Sequence, residues 1–126
     1  MFRHLNPAGI AAPGPYSHGV EASSIQRMLF ISGQVGIRPD GNLAEGIGEQ
    51  TRVAIQNLTA VLADADMDTS NLAKITIYLT DESSLGGFME AGAGLLPVPP
   101  PATTLVYVKA HAAPPMLVEI EAIAVK

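Results

Sequence analysis

The sequence predicts one α+β domain over residues 1–126, a mixed sheet with two helices on one face. The first observation is an amphipathic helix that begins near Ile47, where apolar residues recur at three- and four-residue spacing as far as Ala65. The second is an apolar strand on each side of it, at about 28–35 and at "LAKITIYLT", 72–80. The third is a pair of strands that closes the chain, "ATTLVYVKA" and "LVEIEAIAV". A helix packed on one face of such a sheet is typical of the α+β class.

The connections between these elements predict how the strands pair. "NPAGIAAPGPYS" near the N-terminus predicts an ordered loop, and "RPDGN" predicts a turn after the first apolar strand. A long helix between two strands predicts a right-handed crossover with parallel pairing of those strands. Residues 83–96 predict a weak second helix, since each interior glycine costs about 1 kcal/mol relative to alanine. We expect the two closing strands, joined by "HAAPP", to pair antiparallel.

Composition limits the classes of function. Only 15% of the residues are charged, against about 25% in ordinary globular chains, so we expect other subunits to cover part of the surface. The net charge is −5, and the seven basic residues form no cluster, which argues against nucleic acid as a partner. No apolar run approaches the ~20 residues of a membrane span and no secretory segment is evident. We therefore expect a cytoplasmic protein that does not bind membranes.

Four motifs together resemble the RidA (YjgF) family of reactive imine/enamine deaminases. They are "GPYSHGV" at 14–20, "SGQVG" at 32–36, "PATT" at 101–104 and "VEIEAIAV" at 118–125. The resemblance runs from about residue 6 to 126 in the expected order. It implies a chorismate-mutase-like fold and a homotrimer, with a small-molecule cleft at each of the three subunit interfaces.

One position departs from the deaminase pattern. In deaminating members an arginine follows the "PA" of this motif and binds the substrate carboxylate, whereas this chain has Thr103. A guanidinium matches a carboxylate with a planar, permanently charged fork, and a threonine offers one neutral hydroxyl. The exchange costs roughly 2–5 kcal/mol if a carboxylate still binds there unaided. Arg3, Arg27 or Arg38 of another subunit stays open as a replacement cation.

The resemblance also indicates four further site residues. The hydroxyl of Tyr16 is expected to donate to a bound oxyanion, and Ser32 and Gly33 are expected to contact the ligand. Glu119 is expected to act as general base on a water molecule. The structural alternatives are a loop tyrosine packed at an interface, a bulge or close backbone approach at the glycine, and a solvated strand face. Glu121, on the same face, is expected to be structural.

Other polar residues predict structural roles. Gln50 and Asn57 are seven residues apart on the long helix, and we expect them to bond strand or loop backbone. The three histidines are dispersed without metal-ligand spacing, and the chain has no cysteine. Hydrolysis of a C=N bond needs no metal, so neither a metal nor a cofactor is expected.

Three functions remain open from the sequence. The first is a trimer that binds a small metabolite between subunits and hydrolyses an imine or enamine with altered specificity. The second is an ordinary 2-iminopropanoate-type deaminase that uses another cation. The third is a non-catalytic ligand-binding or chaperone-like protein. Ribonuclease activity, proposed for relatives, is not expected from the acidic charge balance.

Overall fold

A four-stranded sheet forms the centre of the protein, for which a computed structural model describes residues 1–126. Its strands are β3 (Met28–Gln34), β4 (Leu72–Leu79), β5 (Ala102–Tyr107) and β6 (Val118–Val125), and their order is β3-β6-β4-β5. β6 runs antiparallel to both β3 and β4, and β4 pairs parallel with β5. Near the N-terminus β1 (Phe2–Leu5) and β2 (Gly19–Ala22) form a separate antiparallel pair.

The strand order corrects two pairings expected from the sequence. The strands that flank the long helix are not neighbours, because β6 lies between β3 and β4. The two closing strands do not pair with each other either, since β5 lies at the edge and β6 lies inside the sheet. The parallel pair is β4 and β5, joined across the shorter helix. An inside position suits β6, whose side chains are at least half buried along its whole length.

Two helices, α1 (Gly46–Asp64) and α2 (Leu85–Gly92), cover one face of the sheet, as predicted. The short 3-10 helices Thr69–Asn71 and Glu82–Ser84 precede β4 and α2. A Cβ added at Gly87 would lie 2.5 Å from Ile47 Cγ2, so this glycine lets α2 approach α1 closely. The core between sheet and helices includes Ile31, Leu58, Leu62, Ile75, Ile77, Phe88 and Ile120.

Two amides on α1 bond the backbone around them, as expected. Gln50 is buried, donates from Nε2 to Ala44 O (3.1 Å) and Pro115 O (3.0 Å), and accepts from the Leu117 amide (2.8 Å) at Oε1. Asn57 donates to the Val35 and Ile37 carbonyls in the segment after β3. These bonds fix the segment after β3 and the segment before β6 on α1.

The other face of the sheet carries no helix. Strand alternation and register place Phe30, Lys74, Tyr78 and the two glutamates of β6 there. The side chain of Phe30 is 69% exposed in the single protomer. An exposed aromatic residue beside a sheet face is a feature of protein interfaces.

Candidate functional site

The carboxylate of Glu119 lies against a bulge in β3. The four residues of β3 from Ile31 to Gln34 lie opposite only three residues of β6, from Ala122 to Ile120. The bulge contains Ser32, which is exposed, and Gly33. A Cβ at Gly33 would lie 1.9 Å from Glu119 Oε2, so only glycine leaves room for the carboxylate in this position. Both structural alternatives predicted for this glycine, a bulge and a close approach, are therefore present.

A buried histidine contacts the same carboxylate. His111 belongs to the loop between β5 and β6, and its Nδ1 lies 3.4 Å from Glu119 Oε1. Its side chain is 3% exposed, whereas that of Glu119 is 35% exposed. The two carboxylate oxygens thus have different neighbours, Oε1 the imidazole and Oε2 the bulge. This contact was not predictable from the sequence, because the two residues are separated by a loop with no periodic pattern.

Tyr16 and Thr103 lie together at a different place, in a cavity of about 800 Å³ on the helix side of the sheet. The loop that carries Tyr16 is fixed there by Ser17, whose amide donates to Pro101 O (3.2 Å) and whose hydroxyl donates to Pro100 O (2.6 Å). Apolar side chains dominate the cavity wall. They include Ile55, Leu58, Ile75, Ile77, Phe88, Met89, Leu96, Leu105 and Ile120.

The cavity has no cationic lining residue. Neither a lysine, an arginine nor a histidine contributes to its wall. Thr103 donates its hydroxyl to Pro101 O at 3.0 Å, which leaves that oxygen able to accept a further bond. A carboxylate in this cavity would have no opposite charge and few donors within the protomer.

The arginines that were considered as replacements have other partners. Arg3 pairs with Glu21 at 3.1 Å, and Arg38 pairs with Glu49 at 3.2 Å. Arg27 donates to a backbone carbonyl at 2.7 Å. A different basic group contacts the "PATT" motif. Lys74 donates from Nζ to Thr104 Oγ1 at 2.6 Å, and strand alternation puts Thr104 on the opposite face from Thr103.

The predicted site residues therefore form two groups on opposite faces of one protomer. Glu119, Gly33 and Ser32 belong to the helix-free face, and Tyr16 and Thr103 belong to the cavity on the helix side. A single protomer does not bring the two groups together.

Glu121 makes a contact that fits a structural role. Tyr78 on β4 donates its hydroxyl to the Glu121 carboxylate, and this hydrogen bond raises the pKa of the tyrosine above its usual value. The bond ties the two central strands together on the helix-free face. Elsewhere, no three His, Cys, Asp or Glu side chains converge as they would around a metal ion, and no helix is long and apolar enough to cross a membrane.

Comparison with known proteins identifies the class. The model of the family described as "Endoribonuclease L-PSP" matches residues 7–126. The chain is 46% identical to a RutC family protein of Aquifex aeolicus over 69 residues, 54% of this chain and 53% of that protein. It is 40% identical to the 2-iminobutanoate/2-iminopropanoate deaminase of Mus musculus over 78 residues, 60% of this chain and 56% of that enzyme. The chain thus aligns with about half the length of these two curated relatives.

A solved structure matches along nearly the whole chain. A protein of unknown function of the Rid family from Yersinia pestis superposes with a TM-score of 0.88 at 30% identity, covering 99% of this chain and 98% of that one. The fold and the motifs together define a small α+β protein of the Rid type. The chain belongs to the RidA/YjgF family.

Proposed function

We propose that this protein is a homotrimer that binds a small, uncharged metabolite in clefts between its subunits and hydrolyses an imine or enamine there. The observation that carries the proposal is the cavity that contains Thr103, because none of its lining residues carries a positive charge. The mouse relative is named for two iminoalkanoates, substrates that carry a carboxylate. A ligand without a carboxylate suits a cavity in which apolar side chains and hydroxyl groups replace the guanidinium.

In this proposal, assembly of the trimer brings the Glu119 group of one subunit close to the Thr103 and Tyr16 group of the next. The helix-free face of one subunit carries Glu119, and the edge strand β5 of the next carries Thr103 beside Tyr16. Packing of the edge of one subunit against the helix-free face of its neighbour puts both groups in one cleft, three times in a closed trimer. The exposed Phe30 on that face supports such packing.

The residues present are suited to hydrolysis. Glu119 accepts a proton from a water molecule while the water oxygen bonds to the carbon of the C=N group. Tyr16 donates a hydrogen bond to the oxygen of the adduct. Glu119 returns this proton to nitrogen, which leaves a hydroxyl and an amino group on the same carbon. The hydroxyl proton then passes through Glu119 to nitrogen while the C–N bond breaks and the C=O bond forms, so the products are a carbonyl compound and ammonia. No electron acceptor is needed in this sequence.

Subunit mixing tests whether the cleft is shared. Glu119→Gln removes the base, and Thr103→Trp fills the cavity, so each pure trimer should be inactive in a semicarbazide-competition assay with uncharged imines. Random mixed trimers regain about one intact cleft in four, since an intact cleft needs one normal contribution from each of two neighbours. Sedimentation should give a trimer of the 13.1 kDa chain. Failure of the mixture to regain activity, or a monomer in solution, contradicts the proposal.

The family description raises a ribonuclease as a second candidate, which we do not propose. Three of the four arginines are paired with carboxylates, and the net charge is −5. Phosphate binding needs free cations. A titration with single-stranded RNA at low salt is expected to show no binding, and saturable binding would contradict this.

A further inference from the structure

The loop that carries His111 is fixed at both ends. Val108 donates its amide to Leu79 O at 2.8 Å where the loop leaves β5. Leu117 donates its amide to Gln50 Oε1 at 2.8 Å where the loop enters β6, and the Gln50 amide group also bonds Pro115 O. A loop tied to β4 and to α1 holds its side chains in one arrangement.

The contact with the carboxylate favours one tautomer of the ring. An ionised carboxylate has only acceptor oxygens, so the approach of His111 Nδ1 to Glu119 Oε1 at 3.4 Å favours hydrogen on that nitrogen. The neutral ring is then the tautomer with hydrogen on Nδ1 and a lone pair on Nε2. Nε2 is buried and has no hydrogen-bond partner in the structure. A buried N–H there would be an unpaired donor, which the Nδ1–H tautomer avoids.

We infer that His111 is a positioning residue, which holds Glu119 Oε1 by donation from Nδ1 and so leaves Oε2 to act on water. The 3.4 Å separation is longer than a tight hydrogen bond, as contacts in unliganded sites commonly are. A base oriented by a third group is the general arrangement of activated catalytic groups. Without His111, the Glu119 carboxylate, whose side chain is 35% exposed, has rotational freedom that it lacks beside the imidazole. This inference rests on the proposed function, because it assigns a role to a neighbour of its proposed base.

The first test is to determine the tautomer of the His111 imidazole, which does not require the protein to be active. Two-bond ¹⁵N–¹H NMR correlations of the wild-type protein above neutral pH should show hydrogen on Nδ1 of His111. In Glu119→Leu the share of the Nε2–H tautomer should rise, because the Nδ1–H group has lost its acceptor. Other ionisable groups on this sheet face, Tyr78, Glu121 and Lys74, are unchanged in that variant. Hydrogen on Nε2 in the wild-type protein overturns the inference.

Kinetics form the second test. His111→Leu should lower kcat by about 10- to 100-fold with little change in KM, as loss of an orienting partner does. His111→Asn places an amide donor close to the position of Nδ1 and should recover most of that loss. The control is His4, which lies on β1 against Phe2, where the same two substitutions should leave kcat unchanged.

The outcomes separate the two proposals. If His111→Leu is folded, trimeric and as active as the wild-type protein, the inference is wrong while the proposed hydrolysis stands. If the wild-type protein hydrolyses no imine, the proposed function is wrong. The tautomer still decides in that case whether His111 holds Glu119.

Discussion

Thr103→Arg should convert the cavity into a carboxylate-binding site. Thr103 faces the cavity beside Tyr16, and no lining residue carries a positive charge. The introduced guanidinium offers a planar fork of donors to a substrate carboxylate. We expect the variant to hydrolyse amino-acid-derived imines that the wild-type protein hydrolyses poorly.

The size of the gain follows from the charge balance of the cavity. A hydrogen-bonded charge pair in a desolvated site is worth roughly 2–5 kcal/mol against leaving one partner alone. The lower value corresponds to a rise of about 30-fold in kcat/KM for the carboxylated imine. The same guanidinium without a ligand is a buried, unpaired charge among apolar side chains, so the free variant should be less stable than wild type. Added carboxylate ligand should restore its melting temperature.

The assay is semicarbazide competition with paired imines that differ only in the carboxylate. Thr103→Gln supplies a similar chain without charge and should give no gain. Val106→Arg places the charge on the same strand but outside the cavity lining, and it should also give none. A folded, trimeric Thr103→Arg protein without any gain on the carboxylated imine would refute the reasoning, as would wild-type turnover that already prefers it.

Three further outcomes are expected. Gly33→Ala places a Cβ 1.9 Å from Glu119 Oε2, so the carboxylate must move. Activity in the competition assay should therefore fall at least tenfold, while the circular dichroism spectrum stays native. Gln50→Leu leaves two carbonyls and one amide without their partner, which should lower the free energy of unfolding by about 3 kcal/mol in urea titrations. Tyr78 has a raised pKa because it bonds Glu121, so the stability from this bond is complete below pH 10 and is lost as the pH rises towards the folded-state pKa. Tyr78→Phe should remove that alkaline loss from the unfolding profile.

Matched variants identify the cause in each case. Gly86→Ala adds a methyl group with no atom within 4 Å and should leave activity unchanged. Gln56→Leu alters an exposed glutamine on the same helix and should cost well under 1 kcal/mol. Equal effects in either matched pair, or an unchanged alkaline profile in Tyr78→Phe, would contradict the corresponding explanation.

The elements were predictable from local pattern, and the pairing of the strands was not. Helix α1 was expected from Ile47 to Ala65 and spans Gly46–Asp64, because a 3.6-residue period over five turns has a single interpretation. The second helix was expected over 83–96 and spans only Leu85–Gly92, since its glycines leave its ends to be set by packing. The position of β6 between β3 and β4 depends on contacts far apart in sequence, which no local pattern encodes.

Candidate site residues were predictable where a local motif indicated them, and they were not predictable where they depend on contacts between distant segments. The family motif indicated Gly33 and Glu119 separately; the structure places the two in contact, and their roles in a reaction stay predictions. His111 was one of three dispersed histidines, and its burial against Glu119 arises from a loop between two strands that are not neighbours. His111 and Glu119 are eight residues apart across this loop, and no sequence motif predicts that two residues with this spacing are in contact. Lys74 was missed because its contact with Thr104 depends on the β4–β5 register.

The placement of the two residue groups on opposite faces of the sheet bears on how this scaffold diversifies. In the proposed trimer, substitutions around Thr103 would change ligand recognition without disturbing the packing of Glu119 on its bulge, since the sheet separates the two positions. One wall of the cleft could then change while the wall that carries Glu119 stays the same. Each chain would also contribute to two clefts in different ways: it would supply Thr103 for ligand binding to one cleft and Glu119 for the reaction to the other.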